Sequence, residues 1–258
     1  MKHKLLIVPM ILALAGAGCG GSGSVSGSAT PTTPSGSSDS GMAGSGAAVA
    51  GGCSNAYYPF KVGSKITYKS TSASTNSSYT MEVQPGSTAD SHKLVYTFTA
   101  SGHTVPVTQE FTCDSSGIHA NGQLDLATAL GGAQFSYQTD SVDGPFLPAN
   151  MSVGTNWETT YNVTVHTSNS VLAARIDGKH QSTNIKSSVI GEEDVTVPAG
   201  TYHALKVKMD ITINSELIGT PVQTTTETWF VKNIGMVKSV STSNGVESTT
   251  EATAVTGF

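Results

Sequence analysis

From His203 to Ile213 the chain alternates residue by residue. Leu205, Val207, Met209, Ile211 and Ile213 fall on one side of an extended backbone, with Lys206, Lys208, Asp210 and Thr212 on the other. Successive strand side chains point to opposite faces, so this run predicts a strand with one buried and one wet side. Such a strand belongs in an antiparallel sheet, because parallel strands covered on both faces lose the alternation. The pattern recurs at Trp157, Tyr161, Val163 and Val165, at Leu94, Tyr96 and Phe98, and at Val105, Val107, Phe111 and Cys113. Threonine is abundant along these runs, as suits a β-branched residue on a pleated surface. By parity His203 shares the side of Leu205, which predicts a hydrogen-bonded histidine at the edge of the core.

Turn chemistry punctuates the runs. Pro198-Ala199-Gly200 separates Val195–Val197 from the strand near Tyr202, and Ser243-Asn244-Gly245 precedes the last strand. Asn-Gly supplies the positive φ angles of a tight hairpin. Helix signals are sparse: Asp125 to Leu130 before Gly131 fits one or two turns. A faint duplication is also visible. Tyr58-Pro59, Val62-Gly63 and Ile66-Thr67-Tyr68 are echoed by Leu147-Pro148, Val153-Gly154 and Trp157. Phe111-Thr112-Cys113 with Gly117-Ile118 is echoed by Trp229-Phe230-Val231 with Gly235-Met236. The expected fold is therefore all-β: an antiparallel open barrel or β-sandwich over 53–258, with little helix. It has two pseudo-repeated halves, unless shared turn chemistry alone produced the echo.

The N-terminus sets the compartment. Lys2 and Lys4 precede a thirteen-residue apolar run from Leu5 to Ala17, and Gly16-Ala17-Gly18 leads into Cys19. That run is shorter than the roughly twenty residues that span a bilayer, but it suits an export signal. The arrangement resembles a bacterial lipoprotein signal, which implies a signal peptide over 1–18 and lipid on Cys19. Gly16 stands where that pattern usually has Leu, and Ala13-Leu14-Ala15 offers a cleavage site for plain secretion. Three cysteines favour the first reading: with Cys19 acylated, Cys53 and Cys113 remain as an even pair for a disulfide in an oxidising compartment. Residues 19–52 are almost wholly Gly, Ser, Ala, Thr and Pro, the composition of a flexible tether. A random coil of about 33 residues extends roughly 30 Å.

Composition excludes several classes. Charged residues are 12% of the chain and the net charge is −5, so a nucleic-acid partner, which needs clustered Lys and Arg, is not expected. No later segment is apolar enough to span a membrane as a helix. The histidines show no metal-binding spacing, and no nucleophile elbow, phosphate loop or dinucleotide fingerprint occurs in the folded region. Catalytic residues, metal ligands and cofactors are expected to be none. Glu192-Glu193-Asp194 reads as a hydrated hairpin tip, with Glu192 and Asp194 on one side and Glu193 on the other. Trp157, Tyr161 and Trp229 are the aromatics expected to line an apolar pocket, if the sheet encloses one.

Tyr57-Tyr58-Pro59-Phe60-Lys61-Val62-Gly63, Val195 through Tyr202, and Trp229-Phe230 leading to Ile234-Gly235-Met236-Val237-Lys238 together resemble the TapB-like group. That resemblance implies a bacterial envelope lipoprotein with a domain of unknown function, and it brings no catalytic residues. A more distant likeness is to the half-barrels that ferry lipoproteins, which close their concavity with helices that this chain lacks. The leading expectation is a lipid-anchored envelope protein whose β domain is a non-catalytic interaction or structural module. Gly20 after the cysteine favours the outer membrane by resemblance. The alternative is a binder or carrier of lipid or another apolar ligand in a barrel concavity. Expected partners are the membrane, through the N-terminal lipid, and envelope proteins or an apolar ligand.

Overall fold

A computed structural model describes residues 54–73, 76–100, 103–122 and 135–258. The predicted signal, Cys19, the tether, Cys53 and the Asp125–Leu130 helix lie outside the described residues. Fifteen strands occur within them: β1 (Ser54–Asn55), β2 (Tyr58–Pro59), β3 (Lys65–Ser72), β4 (Asn76–Pro85), β5 (Ser91–Ala100), β6 (His103–Asp114), β7 (Gly117–Ala120), β8 (Phe135–Asp143), β9 (Leu147–Pro148), β10 (Asn156–Thr167), β11 (Lys179–Val197), β12 (Gly200–Ser215), β13 (Val222–Val231), β14 (Gly235–Ser243) and β15 (Val246–Thr256). One short helix, α1 (Ser170–Ile176), starts at Asn169, whose side chain accepts from the Val171 and Leu172 amides.

Every pairing is antiparallel, as the alternation predicted. β1 pairs with β2, and the other thirteen strands form one sheet in the order β8-β10-β11-β12-β13-β14-β15-β3-β4-β5-β6-β7-β9. The sheet is open, with β8 and β9 at its edges. It rolls so that the inward faces of β3 to β6 and β10 to β14 share one core, including Ile66, Tyr68, Met81, Leu94, Phe111, Tyr161, Ile185, Val207, Ile211 and Phe230. On β12, Leu205, Val207, Ile211 and Ile213 are buried, while Asp210 is exposed. Asn244 (φ +50°) and Gly245 (φ +77°) make the expected tight turn between β14 and β15.

The duplication is geometric. β3–β7 and β10–β14 are two five-stranded meanders, each preceded by a two-residue strand ending in proline, β2 and β9. Their lead-in loops make the same three hydrogen bonds. Gly63 and Gly154 amides donate to Val83 and Val189 carbonyls, both at 2.9 Å. Val83 and Val189 amides donate back to Ser64 and Thr155, and Ser64 and Thr155 amides close the turn onto Lys61 and Ser152. The short strands are exchanged between halves. β9 pairs with β7 through Gly117↔Pro148, and Ala56, beside β2, accepts from Asn233 at the β13–β14 turn.

The two joins between the halves differ. β15 bridges β14 and β3 with ladders, the one to β3 carrying a bulge at Thr253. At the other join no ladder connects β9 to β8 or β10 among the described residues. The three residues between β8 and β9 sit there instead. The Trp157 indole N–H donates to Phe146 O (3.2 Å), and the Thr159 hydroxyl donates to Pro145 O (2.5 Å).

The parity reading fails in β12. Ile190 is an extra residue in β11 opposite β12, and both Ala204 and Leu205 are buried, so the covered face switches there. Beyond the switch, Val195 and Val197 are buried and Ala199 N–H reaches Ala252 O in β15 (3.0 Å). His203 is thereby exposed rather than set at the core edge.

Candidate functional site

A cavity of about 80 Å³ lies inside the roll, near the join that lacks a ladder. Phe146, Leu147 and Trp157 form its wall on that side, and Met209, Phe230 and Met236 face them. Tyr58, Tyr68, Tyr96 and Tyr161 complete an aromatic lining, with Met81 and Phe111. Strand parity explains how most of them meet: apart from Phe146, which lies between β8 and β9, they are inward residues of strands that the roll brings together.

The phenols share one environment. Burial raises the pKa of Tyr58, Tyr68, Tyr79 and Tyr161 above the ordinary tyrosine value, and pushes Tyr96 up to about 12. All five therefore stay protonated. The Tyr68 hydroxyl donates to Met236 O (2.8 Å), and that of Tyr58 reaches Met81 Sδ at 3.7 Å. Tyr79 stacks on Tyr68 with ring centroids 4.9 Å apart, and its buried hydroxyl has no partner. Beyond the cavity the interior turns polar, with Ser70 against Thr250 (2.6 Å) and Thr226 against Ser241 (2.9 Å).

Of the three predicted pocket aromatics, Trp157 and Tyr161 line the cavity and Trp229 does not. Trp229 faces outward, and its neighbour Phe230 takes the inner position. Lys206 and Lys238 cover the indole ring at 4.9 and 5.7 Å from its centre, and its N–H donates to Glu193 Oε1 (2.6 Å). Glu193 and Trp229 share the outer face that Val195 and Val197 cover. Sequence reasoning missed Phe146 and Leu147 as site residues. Their signal was the Leu147-Pro148 echo, which marks the repeat and not the cavity.

The acidic cluster divides between two faces as expected, but it is paired within β11 rather than set at a hairpin tip. His203 Nδ1 contacts Asp194 (2.9 Å) and its Nε2 contacts Glu192 (3.4 Å), which raises the histidine pKa. Ser116, His119 and Asp114 also meet at the β6–β7 turn, but Ser116 Oγ (2.9 Å) and Asp114 Oδ1 (3.1 Å) both contact Nε2 of His119. A relay to a nucleophile needs the carboxylate on the opposite ring nitrogen, so this cluster caps a turn. No group of three His, Cys, Asp or Glu suited to a metal occurs among the described residues. Cys113 is disulfide-bonded, and its expected partner Cys53 lies outside the described residues.

A family match spans residues 60–250. The chain belongs to the DUF3108-like family. This DUF3108-like domain is also similar to two solved structures. One is a crystal structure from Parabacteroides distasonis, named there as a lipoprotein, with TM-score 0.52 and 20% identity over 78% of this chain and 98% of that one. The other is from Bacteroides fragilis, named as an exported protein with a YmcC-like fold, with TM-score 0.53 and 16% identity over 78% and 98%. At these identities the likeness concerns the fold. No curated protein matches the chain.

Proposed function

We propose that this is a lipid-anchored protein of the bacterial envelope, of the TapB-like kind, whose rolled sheet is a non-catalytic interaction or structural module. Lipid on Cys19 and the tether over 19–52 hold the domain beside the membrane, the outer membrane being favoured. The observation that carries the reading is the filled interior. The remaining cavity is about 80 Å³, whereas sites for drug-sized ligands run about 300–1,000 Å³. A carrier of whole acyl chains needs more room than that. The names of the two similar structures support export and anchoring as the context.

Intact-mass measurement on the membrane fraction tests the anchor: an acylated chain beginning at Cys19 is expected, and an unmodified soluble chain overturns it. Crosslinking in intact cells tests the module: one dominant envelope partner is expected, and only diffuse, concentration-dependent products argue against it. A second reading, a binder of small apolar ligands, is favoured by one observation. Tyr161 lines the cavity, and its hydroxyl makes no hydrogen bond to another described residue.

A further inference from the structure

We infer that the cavity receives a small uncharged ligand with an apolar body and one acceptor oxygen, which Tyr161 holds by donating a hydrogen bond; this rests on the small-ligand reading above. Tyr161 is 2% exposed and lines the cavity from β10. An acceptor placed opposite its hydroxyl gains a hydrogen bond beyond its apolar contacts. Burial keeps the phenol protonated and hence able to donate.

A second donor stands close by. The Tyr58 hydroxyl rests on the Met81 thioether, a weak acceptor that a carbonyl oxygen displaces, and it interacts with the Tyr96 hydroxyl. Tyr68 is already committed to a backbone carbonyl. Among the described residues no Asp, Glu, Lys, Arg or His lines the cavity, so a charged ligand would lose its hydration without gaining a counter-charge. The ligand class is therefore a neutral ketone, ester or ether of a few heavy atoms. Three flexible side chains, Met81, Met209 and Met236, let the walls adapt to its shape.

The test compares two probes of one shape, cyclopentanone and methylenecyclopentane, which differ by an oxygen in place of a CH₂ group. Each is titrated into the full chain while the methionine methyl resonances are followed. The expected result is that both shift Met81, Met209 and Met236, with Met151, which is outside the cavity, unmoved. Cyclopentanone is expected to bind about tenfold tighter, the worth of one neutral hydrogen bond. Tyr161→Phe is expected to abolish that preference while keeping the affinity for methylenecyclopentane and a dispersed methyl spectrum. Equal affinities in the wild-type chain overturn acceptor recognition and leave the small-ligand reading standing. No shift with either probe overturns both.

Discussion

Gly144 and Gly154 allow the join without a ladder to be tested against an internal control. Both have positive φ, +83° and +90°. An alanine at either position therefore meets similar backbone strain, about 1–2 kcal/mol. Their surroundings differ. A Cβ at Gly154 meets nothing within 4 Å, whereas one at Gly144 falls 2.1 Å from the Glu158 carbonyl oxygen. Backbone cannot swing aside as a side-chain tip does, so Gly144→Ala must push the 144–149 segment away from β10. Overpacking of that kind adds about 1–3 kcal/mol. Displacement of Phe146 O and Pro145 O from Trp157 and Thr159 adds roughly 0.5–1.5 kcal/mol for each lost bond. Gly154→Ala is expected to lower Tm by about 2–8 °C, and Gly144→Ala by clearly more, on a scale of about 2–4 °C per kcal/mol for a domain of this size. Thermal unfolding by circular dichroism measures both, and binding of a hydrophobic dye reports whether the cavity opens. Equal losses from the two variants would refute the close approach at Gly144.

Other outcomes follow from named contacts. Tyr79→Phe removes an unpartnered buried hydroxyl and is expected to raise stability by about 1 kcal/mol in urea titration; a comparable loss would mean the hydroxyl is satisfied. Trp229→Ala is expected to cost about 3–5 kcal/mol, while Trp229→Phe keeps most of the packing and costs about 1–2 kcal/mol. Similar losses from the two substitutions would contradict the role given to the ring. His203 has a raised folded pKa, so its contribution is full below 6.5, the unfolded value, and is lost as pH rises through the folded value. His203→Gln should therefore flatten a decline in Tm across that window; an unchanged pH profile counts against the pairing with Asp194 and Glu192.

Much of the fold was legible because period-two alternation reports burial directly. Leu205 to Ile213 and Tyr161 to Val165 needed no more than parity, and Asn244-Gly245 fixed its own turn. Parity fails where both faces of a strand are covered. Trp229, Phe230 and Val231 are consecutive and all buried, so no alternation tells which aromatic looks inward. His203 was misplaced for the related reason that the covered face switches beside Ala204 and Leu205. The cavity was half legible. Trp157 and Tyr161 lie on regular strand, but Phe146 and Leu147 reach it from a connection whose position depends on how the sheet rolls. The motifs behind the family resemblance are structural. A Cβ at Gly235 would lie 3.8 Å from the Tyr58 ring, and Glu193 beside Val195 holds the Trp229 indole. Three distant segments thus meet around one turn and its outer face, which explains why they carry fold information.

Broken symmetry accounts for the place of the site. Two like meanders leave two joins, and a protein that only needed a closed core would bridge both alike. β15 supplies an eight-pair ladder with one bulge at one join, where the interior is paired hydroxyls and buried rings. The other join has short β9, the edge strand β8 and a connection fastened to β10 by two bonds from side chains to backbone carbonyls. Such bonds open locally at lower cost than a continuous ladder, which must be broken cooperatively. Phe146, Leu147 and Trp157 belong both to this fastening and to the cavity wall. Access to the Tyr161 hydroxyl therefore runs through the least strongly paired part of the sheet, and loosening the join should speed exchange of a bound probe before it unfolds the domain.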